Sequence, residues 1–292
     1  MPKKRPAATT TAPRPQQNVL GTSQRLLSPL GRCEVTPGGV LNLTTVLRRL
    51  VPEDMLQRVL PKAKPGASAP DKPTEEQPDP VSPGLTWLGT AGSSWLDHAL
   101  LEAVSARRSR ALATCATTWR RWRLSPLPGS TFALDLGDTT SPAEVGSPLH
   151  GTYGWPYLPG SALKGLAAHV GSADDPVTAT RIFGTTQHLG SVTVLDALPD
   201  GPGVTLSRTV LTPHHPKYTA DASAPPADWD QPVPISYLTV TGSFLLDMLG
   251  PEQDTAQAGA WLERGLDLLG LGGKTTSGHG YGTLTPLHPD SI

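Results

Sequence analysis

The sequence predicts an α+β domain, because helix-like and strand-like segments alternate along its second half. Apolar residues recur at helical spacing in segments 163–170 and 254–269, which would give each helix one buried face. Segments of alternating or β-branched apolar residues precede, separate and follow these helices. The resulting order, β-α-β-β-α-β, is that of the ferredoxin-like (RRM-like) fold, which many RNA-binding modules share. Fold alone leaves the function open.

Each element follows from a local pattern. The first is a long helix from Ser94 to Arg123, with one apolar stripe and six arginines. Its charged face would be solvated or would contact RNA phosphates or an acidic partner. The helix at 254–269 should end at Gly270, because glycine adopts the left-handed conformation that ends helices. The predicted strands are 132–136, 191–197, 204–211, 235–246 and 280–287, and the order above requires 204–211 to lie in an insertion.

Composition excludes several classes of protein. Proline and glycine provide 32 and 30 of the 292 residues, a high share that still lies below that of a fully disordered chain. No apolar run reaches the ~20 residues of a membrane helix, and no apolar stretch follows the basic start as in a secretory signal. Two cysteines are too few for a disulfide framework or a thiolate zinc site. We therefore expect a cytoplasmic protein with no metal or other cofactor.

The charge is unevenly distributed along the chain. Residues 1–64 have eleven Lys or Arg against three Asp or Glu, whereas residues 65–292 have thirteen against twenty-two. A nucleic-acid site must therefore be local. We divide the chain into a disordered basic arm (1–20), a helical N-terminal extension (21–125) with a Pro-rich linker (61–85), and a ferredoxin-like domain (126–292) with a glycine-rich loop (270–282).

The segment before the first predicted helix of that domain has the composition of an anion-binding turn. Pro159 and Gly160 favour a turn, and Ser161 is placed to cap the helix. Lys164 stands where a capping box would have Glu or Gln, and a cation near the helix start opposes the helix dipole. The lysine is explained if backbone amides and its ammonium share a phosphate. The alternative is that its stem packs on the protein while the ammonium reaches water.

The loop 270–282 has six glycines, one lysine and three Ser or Thr side chains. Glycines let a backbone approach a ligand closely. A P-loop is excluded, because residue 268 is leucine where that motif needs glycine, and the loop follows a helix and opens a strand. Asp196 has no second carboxylate at useful spacing, so it is more typical of a turn or cap carboxylate than of a metal ligand.

The segments PYLPGSALKG (156–165) and GLGGKTTSGHGYG (270–282) together resemble the RAMP superfamily of CRISPR-associated proteins. Further landmarks follow in the order found in the sixth-numbered subunit family of the type III-B effector, the Cmr complex. They are NLTTVLRRLVP, EVGSPLHGTYG, RIFG, GSVTVLDALP, LTPHHPKYT and PVPISYLTVTGSF. The resemblance covers residues 40–60 and 130–287, and leaves out the arm, the linker and the arginine-rich helix.

The resemblance implies a non-catalytic RNA-binding subunit of a ribonucleoprotein complex that serves antiviral defence. Such subunits hold the 3′ part of the guide RNA (crRNA) and cap the backbone filament. Their partners are target RNA, the backbone RAMP subunit, the small helical subunit and another capping RAMP subunit, with no membrane involved. In that family, target cleavage belongs to an Asp in a loop of the backbone subunit. This sequence has no clear counterpart of that loop, and Asp135 and Asp138 match it by position only. The residues expected to bind RNA are Gly160, Ser161, Lys164, His214, His215, Lys217, Gly272, Gly273, Lys274, Thr275, Thr276, Ser277, His279 and Tyr281.

Two alternatives stay open. His214, His215 and Lys217 would supply the acid, base and cation of metal-independent RNA cleavage, as in RAMP endoribonucleases that process guide RNA. A net charge of −1 favours a purely structural assembly subunit without RNA contact. The sequence lacks the aromatic strand signature of an RNA-recognition motif, so binding should be to backbone and shape.

Overall fold

The computed structural model describes residues 96–134, 136, 149–215, 218, 223–230, 232 and 234–287, together with the backbone of 24–28, 31–35 and 51–52. The helices are α1 (His98–Ala113), α2 (Gly160–Asp174), α3 (Pro176–Phe183) and α4 (Glu252–Leu268). The strands are β1 (Gln24–Ser28), β2 (Gly31–Val35), β3 (Val51–Pro52), β4 (Trp119–Pro126), β5 (Thr193–Val194), β6 (Leu198–Pro199), β7 (Thr205–Leu211), β8 (Ile235–Thr241), β9 (Phe244–Leu249) and β10 (Gly282–Leu287).

The main sheet has the ferredoxin-like arrangement. Its antiparallel strands lie in the order β10-β4-β9-β5, and β6 also pairs with β9. Strands β5 and β6 are two short pieces that pair with the same neighbour and together take the place of one strand. With α2 after β4 and α4 after β9, the chain order is β-α-β-β-α-β. This confirms the predicted fold class.

Strands β7 and β8 form a separate two-stranded sheet between β6 and β9. This hairpin is the predicted insertion. The single strand expected over 235–246 was wrong, because the chain leaves the hairpin at Gly242 and enters the main sheet at Phe244. Gly242 has φ +109°, and a Cβ there would lie 2.6 Å from the carbonyl oxygen of Gly203. Only glycine fits both constraints.

Helices α2 and α4 pack side by side on one face of the main sheet. Glycines allow the close approach: a Cβ at Gly265 would lie 2.8 Å from Cγ of Leu166, and one at Gly171 would lie 2.7 Å from the ring of Trp261. Both helices bury apolar residues over the sheet, as their periodicity predicted. The core between them contains Leu163, Ala167, Val170, Ala258, Leu262 and Leu266 from the helices and Trp122, Leu124, Phe244, Leu246 and Met248 from the strands.

Helix α1 packs on the opposite face of the sheet through a buried ion-pair cluster. Arg121 of β4 stands opposite Asp247 of β9 and binds it through two nitrogens, at 2.7 and 3.1 Å. Arg108 of α1 approaches the same carboxylate, with Nε 2.8 Å from Oδ2, and donates from Nη1 to the backbone oxygen of Asp196 at 2.7 Å. Burial lowers the pKa of Arg108, while Asp247 opposes that shift. One fully buried carboxylate thus joins α1 to two neighbouring strands.

The long helix predicted over Ser94–Arg123 was wrong in its second half. Helix α1 starts after an Asp97 cap and ends at Ala113, and residues 119–126 form the inner strand β4. The strand was not recognisable, because the ion pair with Asp247 lets Arg121 be buried and so breaks the expected alternation. The predicted boundary at residue 126 must therefore move toward the N-terminus. The other boundaries stay predictions.

Four of the six arginines that the sequence placed on a charged helix face are used inside the protein. Arg108 and Arg121 bind Asp247, Arg120 pairs with Glu252 at the start of α4, and Arg123 pairs with Asp200 after β6. The segment therefore does not present the continuous basic surface for RNA that was one interpretation of its sequence.

Three further expectations were wrong in detail. The region 21–125 contains strands β1, β2 and β3, paired in the order β2-β1-β3, in addition to helix α1. The predicted strand 132–136 makes only single bridges, from Phe132 to Val240 and from Ala133 to Gly272. The predicted strand 191–197 is replaced by β5 and β6. The arm 1–20 and the linker 61–85 lie outside the described residues.

We predict that Asp247→Ala destabilises the protein by about 3–5 kcal/mol, because it leaves two buried guanidinium groups without their counter-ion. The matched control is Asp200→Ala, which removes a partly exposed pair and should cost about 0–1 kcal/mol. Urea unfolding of both variants measures the difference. Equal losses in the two variants would contradict a central role for Asp247.

Candidate functional site

The N-terminus of α2 is already occupied by a carboxylate of the protein. Helix α2 begins at Gly160, whose N–H donates to Asp196 Oδ1 at 2.7 Å. A Cβ at this position would lie 2.5 Å from the carbonyl oxygen of Val194, so glycine is needed for the helix to start against β5. The Gly160 amide is therefore bound within the protein, and a contact of Gly160 with RNA stays a prediction. Asp196 is a cap carboxylate, as the sequence favoured.

Ser161 and Lys164 are the polar side chains that remain at this end of α2. Ser161 is the second residue of the helix and exposed, so the prediction that it caps the helix was wrong. Lys164 is half-buried one turn further along, and it makes no ion pair within the described part of the chain. Its ammonium therefore remains available for an anion.

The glycine-rich loop is bound along the segment that follows β4. Gly273 N–H donates to Ala133 O at 2.7 Å, and Gly280 N–H donates to Thr131 O at 2.8 Å. A Cβ at Gly272, where φ is +91°, would lie 2.5 Å from that same Ala133 oxygen. Gly272 and Gly273 therefore serve packing within the protein. Their contact with RNA stays a prediction.

His279 fixes the loop between two other segments. Its Nδ1 lies 2.8 Å from Thr131 Oγ1, and its Nε2 lies 2.9 Å from the hydroxyl of Tyr237 on β8. The ring stands edge-on to Tyr237 at a centroid distance of 5.8 Å. Burial raises the pKa of Tyr237, so its hydroxyl stays protonated at neutral pH. Since both ring nitrogens have protein partners, His279 positions the loop, and its contact with RNA stays a prediction.

Tyr281 continues this attachment through its backbone. Its N–H donates to Ser130 Oγ at 3.1 Å, and its carbonyl accepts from Leu127 N–H at 3.0 Å. The Tyr281 side chain is half-buried. The end of the loop is therefore as firmly held as its start.

The exposed tip of the loop carries Lys274, Thr276 and Ser277, with Thr275 half-buried beneath them. Lys274 has φ 60° and ψ 29°, and within the described part of the chain no other non-glycine residue has a positive φ. This left-handed conformation costs an L-residue about 1–2 kcal/mol. Lys274 also makes no ion pair among the described residues. An unpaired cation held in a costly conformation points to a role outside the fold.

The histidines predicted as RNA contacts or catalysts lie in the connection between β7 and β8. His214 is exposed, and His215 Nδ1 stands 3.5 Å from the buried Oδ2 of Asp230. Lys217, Asp135 and Asp138 lie outside the described residues. Where the structure describes the chain, no three His, Cys, Asp or Glu side chains are grouped closely enough to hold a metal ion.

A cluster of aromatic side chains that was not predicted from the sequence lies in residues 149–158, which we call the aromatic turn. The Tyr153 ring lies 4.5 Å from His150 and, nearly parallel, 4.5 Å from Trp155, and Tyr157 meets His150 edge-on at 6.1 Å. The signal was present, because a chain with 5% aromatic residues has three of them between 153 and 157.

Backbone hydrogen bonds hold this turn in shape. His150 N–H donates to Trp155 O at 2.8 Å, and Gly154 N–H donates to His150 O at 2.7 Å. Nδ1 of His150 accepts from the amides of Thr152 and Tyr153, at 3.2 and 3.4 Å, and must therefore be unprotonated. Burial lowers the pKa of His150, while Asp196 opposes that shift.

No helix in the described part of the chain combines the length and hydrophobicity needed to cross a lipid bilayer.

The fold is a ferredoxin-like α+β module with two lysine-bearing turns. The sequence model of the RAMP superfamily matches residues 87–284, and the chain belongs to that superfamily. It is similar to the CRISPR system Cmr subunit Cmr6 of Pyrococcus furiosus, with 26% identity over 219 residues. The match covers 52% of this chain and only 64% of that relative's length.

Two solved structures resemble the chain. A cryo-EM structure of the type III-B Cmr-beta complex bound to cognate target RNA contains a chain with a TM-score of 0.57 and 18% identity, covering 68% of this chain and 69% of its own length. The crystal structure of Cmr6 from Pyrococcus furiosus gives a TM-score of 0.36 and 24% identity, covering 59% and 98%. The first likeness shows a common fold.

We predict that His279→Ala lowers the free energy of unfolding by about 1–3 kcal/mol, because it leaves the hydroxyls of Thr131 and Tyr237 without their shared partner. Amide exchange at Gly280 should accelerate. Ser277→Ala, on the exposed tip, is the control and should stay within about 0.5 kcal/mol of the parent. If both variants exchange equally fast, His279 does not hold the loop.

We predict that His150 makes stability depend on pH. The folded protein keeps this ring neutral with a lowered pKa, so the unfolded chain takes up the proton first as the pH falls. Stability is therefore full above about pH 6.5 and is lost as the pH falls below it. His150→Asn, whose oxygen accepts the same amides, should lose this contribution. Urea unfolding from pH 8 to 5 tests it, with His169→Asn on the exposed side of α2 as the control.

Proposed function

We propose that the chain is a non-catalytic RNA-binding subunit of a type III-B CRISPR effector, similar to Cmr6. In this role it holds the 3′ part of the guide RNA and caps the backbone filament, in contact with target RNA and with the other Cmr subunits. Membership of the RAMP superfamily and similarity to a Cmr6 protein support the proposal. The fold shared with a chain of an RNA-bound Cmr complex also supports it.

Lys274 carries the proposal. The fold does not need its ammonium, which is exposed and makes no ion pair within the described part of the chain. Glycine at this position would also relieve backbone strain, because the backbone is left-handed. A phosphate outside the protein is the partner that fits an exposed cation beside the hydroxyls of Thr276 and Ser277.

Ion pairs within the protein explain why the proposed RNA site contains few cations. The arginines near the sheet are neutralised by carboxylates of the protein, so they do not create a diffuse basic surface. Lys164 at the start of α2 and Lys274 on the loop remain unpaired among the described residues. Two separate lysines suit an extended polyanion whose successive phosphates reach both.

We predict that Lys274→Gly separates stability from binding. The released backbone strain is worth about 1–2 kcal/mol and the extra freedom of unfolded glycine offsets about 0.5–1 kcal/mol, so stability should be unchanged or higher. RNA affinity should fall at low salt, and the slope of log affinity against log salt should decrease by about 0.7–1. Fluorescence anisotropy with single-stranded RNA at several salt concentrations measures both.

Lys274→Arg is the matched control, because it keeps the charge in the same backbone conformation and should keep the salt slope. Lys164→Gln should lower the slope independently of Lys274→Gly. A Lys274→Gly variant with parental affinity and parental salt slope would overturn the assignment and favour the purely structural assembly subunit.

The endoribonuclease alternative keeps one supporting observation. The carboxylate of Asp230 lies 3.5 Å from Nδ1 of His215, close enough to stabilise that ring when it is protonated. Incubation of the full chain with RNA in EDTA distinguishes the two functions. Cleavage that disappears in His215→Ala would favour the endoribonuclease, whereas intact RNA is expected for the proposed binding subunit.

A further inference from the structure

The inserted hairpin and its connection expose large apolar side chains to solvent. Trp229, in the connection between β7 and β8, has 83% of its surface exposed. Four of the nine large apolar side chains that the described residues expose belong to this part of the chain, namely Val210, Tyr218, Trp229 and Ile235. Such a concentration of exposed apolar area in one segment indicates an interaction surface.

Trp229 lies on a turn whose shape is fixed before any partner binds. The Asp230 N–H donates to the Ala227 oxygen at 3.0 Å, which closes a β-turn with Asp228 and Trp229 at its tip. The Asp230 side chain is buried, with Oδ2 3.5 Å from Nδ1 of His215. Two prolines before the turn and two after it restrict the flanking backbone. A tryptophan held in this way loses little conformational entropy on binding, which makes it an effective anchor.

The charge around Trp229 favours a cationic protein surface over RNA. Residues 218–235 contain three aspartates and no lysine or arginine. The Asp228 side chain, next to the ring in sequence, is exposed and makes no ion pair within the described part of the chain. This negative charge repels RNA phosphates. An arginine or lysine of a protein would instead pair with the carboxylate and stack on the indole face.

We propose that the turn 227–230 docks into another protein subunit of the complex, with Trp229 in an apolar pocket and Asp228 facing arginine or lysine at the pocket rim. This inference rests on the proposed function, which puts the chain in an assembly, and extends it from the RNA contact to a protein contact. The turn belongs to the inserted hairpin, whereas Lys164 lies on α2 and Lys274 on the glycine-rich loop. Variants can therefore alter one surface without the other.

The first test measures the affinity of the full-length chain for the rest of the complex. The labelled chain is titrated with the remaining subunits and guide RNA, assembled without it. Trp229→Ser should weaken this binding about 30-fold or more, as expected for a tryptophan anchor. Its melting temperature and its affinity for free RNA should equal those of the parent, because the side chain is exposed and no phosphate contact is lost. Leu189→Ser is the matched control, since it removes another fully exposed apolar side chain and should bind as the parent does.

The second test concerns the charge at the rim of the pocket. Asp228→Lys should weaken binding to the remaining subunits roughly 2- to 10-fold, mainly through slower association. Asp228→Glu keeps the charge and should retain the parental affinity. Equal affinities of these two variants would contradict the cationic rim.

A photo-crosslink identifies the occupant of the turn. We expect p-benzoylphenylalanine, placed at Trp229 in the assembled complex, to crosslink to a protein subunit at a segment that contains arginine or lysine. A crosslink to RNA would overturn the proposal in favour of a stacked nucleobase, and the absence of any crosslink would overturn it as well. The same photo-reactive residue at Ser277 reports separately on the RNA contact of the glycine-rich loop.

The outcomes separate the docking turn from the proposed function. Parental affinity of Trp229→Ser for the remaining subunits, or equal losses in Trp229→Ser and Leu189→Ser, overturns the docking turn. If Lys274→Gly still lowers RNA affinity in that case, the RNA-binding function stands. If the parent binds neither RNA nor the remaining subunits, the proposed function itself fails and the docking turn fails with it.

Discussion

The buried carboxylate of Asp247 is the interaction on which the arrangement of the domain depends. It lies on an inner strand and holds two guanidinium groups, one from the adjacent strand and one from α1. Two buried cations on one anion tolerate no loss of that anion, so the geometry of α1, β4 and β9 is set together. Arg108 extends the constraint to the backbone of Asp196, whose side chain in turn meets the first amide of α2. One continuous polar path therefore runs from the centre of the sheet to the proposed RNA surface.

In the two glycine-containing turns, the glycines have a different role from the one that their composition suggests. Their glycines allow close contacts within the protein, with Val194 at Gly160 and with Ala133 at Gly272. Both ring nitrogens of His279 are likewise hydrogen-bonded within the protein, to Thr131 and Tyr237. The ammonium groups of the two lysines take no part in these contacts. A rigid, internally satisfied loop that exposes one cation is a better phosphate contact than a flexible loop, because less entropy is lost on binding.

The fold was largely predictable, and its two main exceptions have separate causes. Helices α2 and α4 and strands β7 and β10 follow apolar periodicity, and they were found where expected. Strand β4 was hidden because burial of Arg121 depends on a carboxylate 126 residues away in the sequence. The change of sheet at Gly242 was hidden because apolar residues continue through it.

The candidate site was predictable only as a set of segments. The sequence pattern located Lys164 and Lys274. It could not show that Gly160 binds Asp196 or that His279 binds Tyr237, because these hydrogen bonds join segments that are distant in the sequence. The aromatic turn shows the reverse case, since its residues are adjacent in the chain and were still overlooked. Only the ring contacts in the structure show that these residues form a cluster.

The place of β4 in the sheet also determines when the domain can form during synthesis. Leu124 pairs with Leu284, a partner 160 residues later, so the inner strand cannot complete its pairing until almost the whole domain has emerged. At translation rates of about 5–20 residues per second, that delay is roughly 10–30 seconds. Strand β9, which carries Asp247 and pairs with the other edge of β4, emerges before β10. Until β10 has emerged, one edge of β4 therefore lacks its partner strand in the nascent chain.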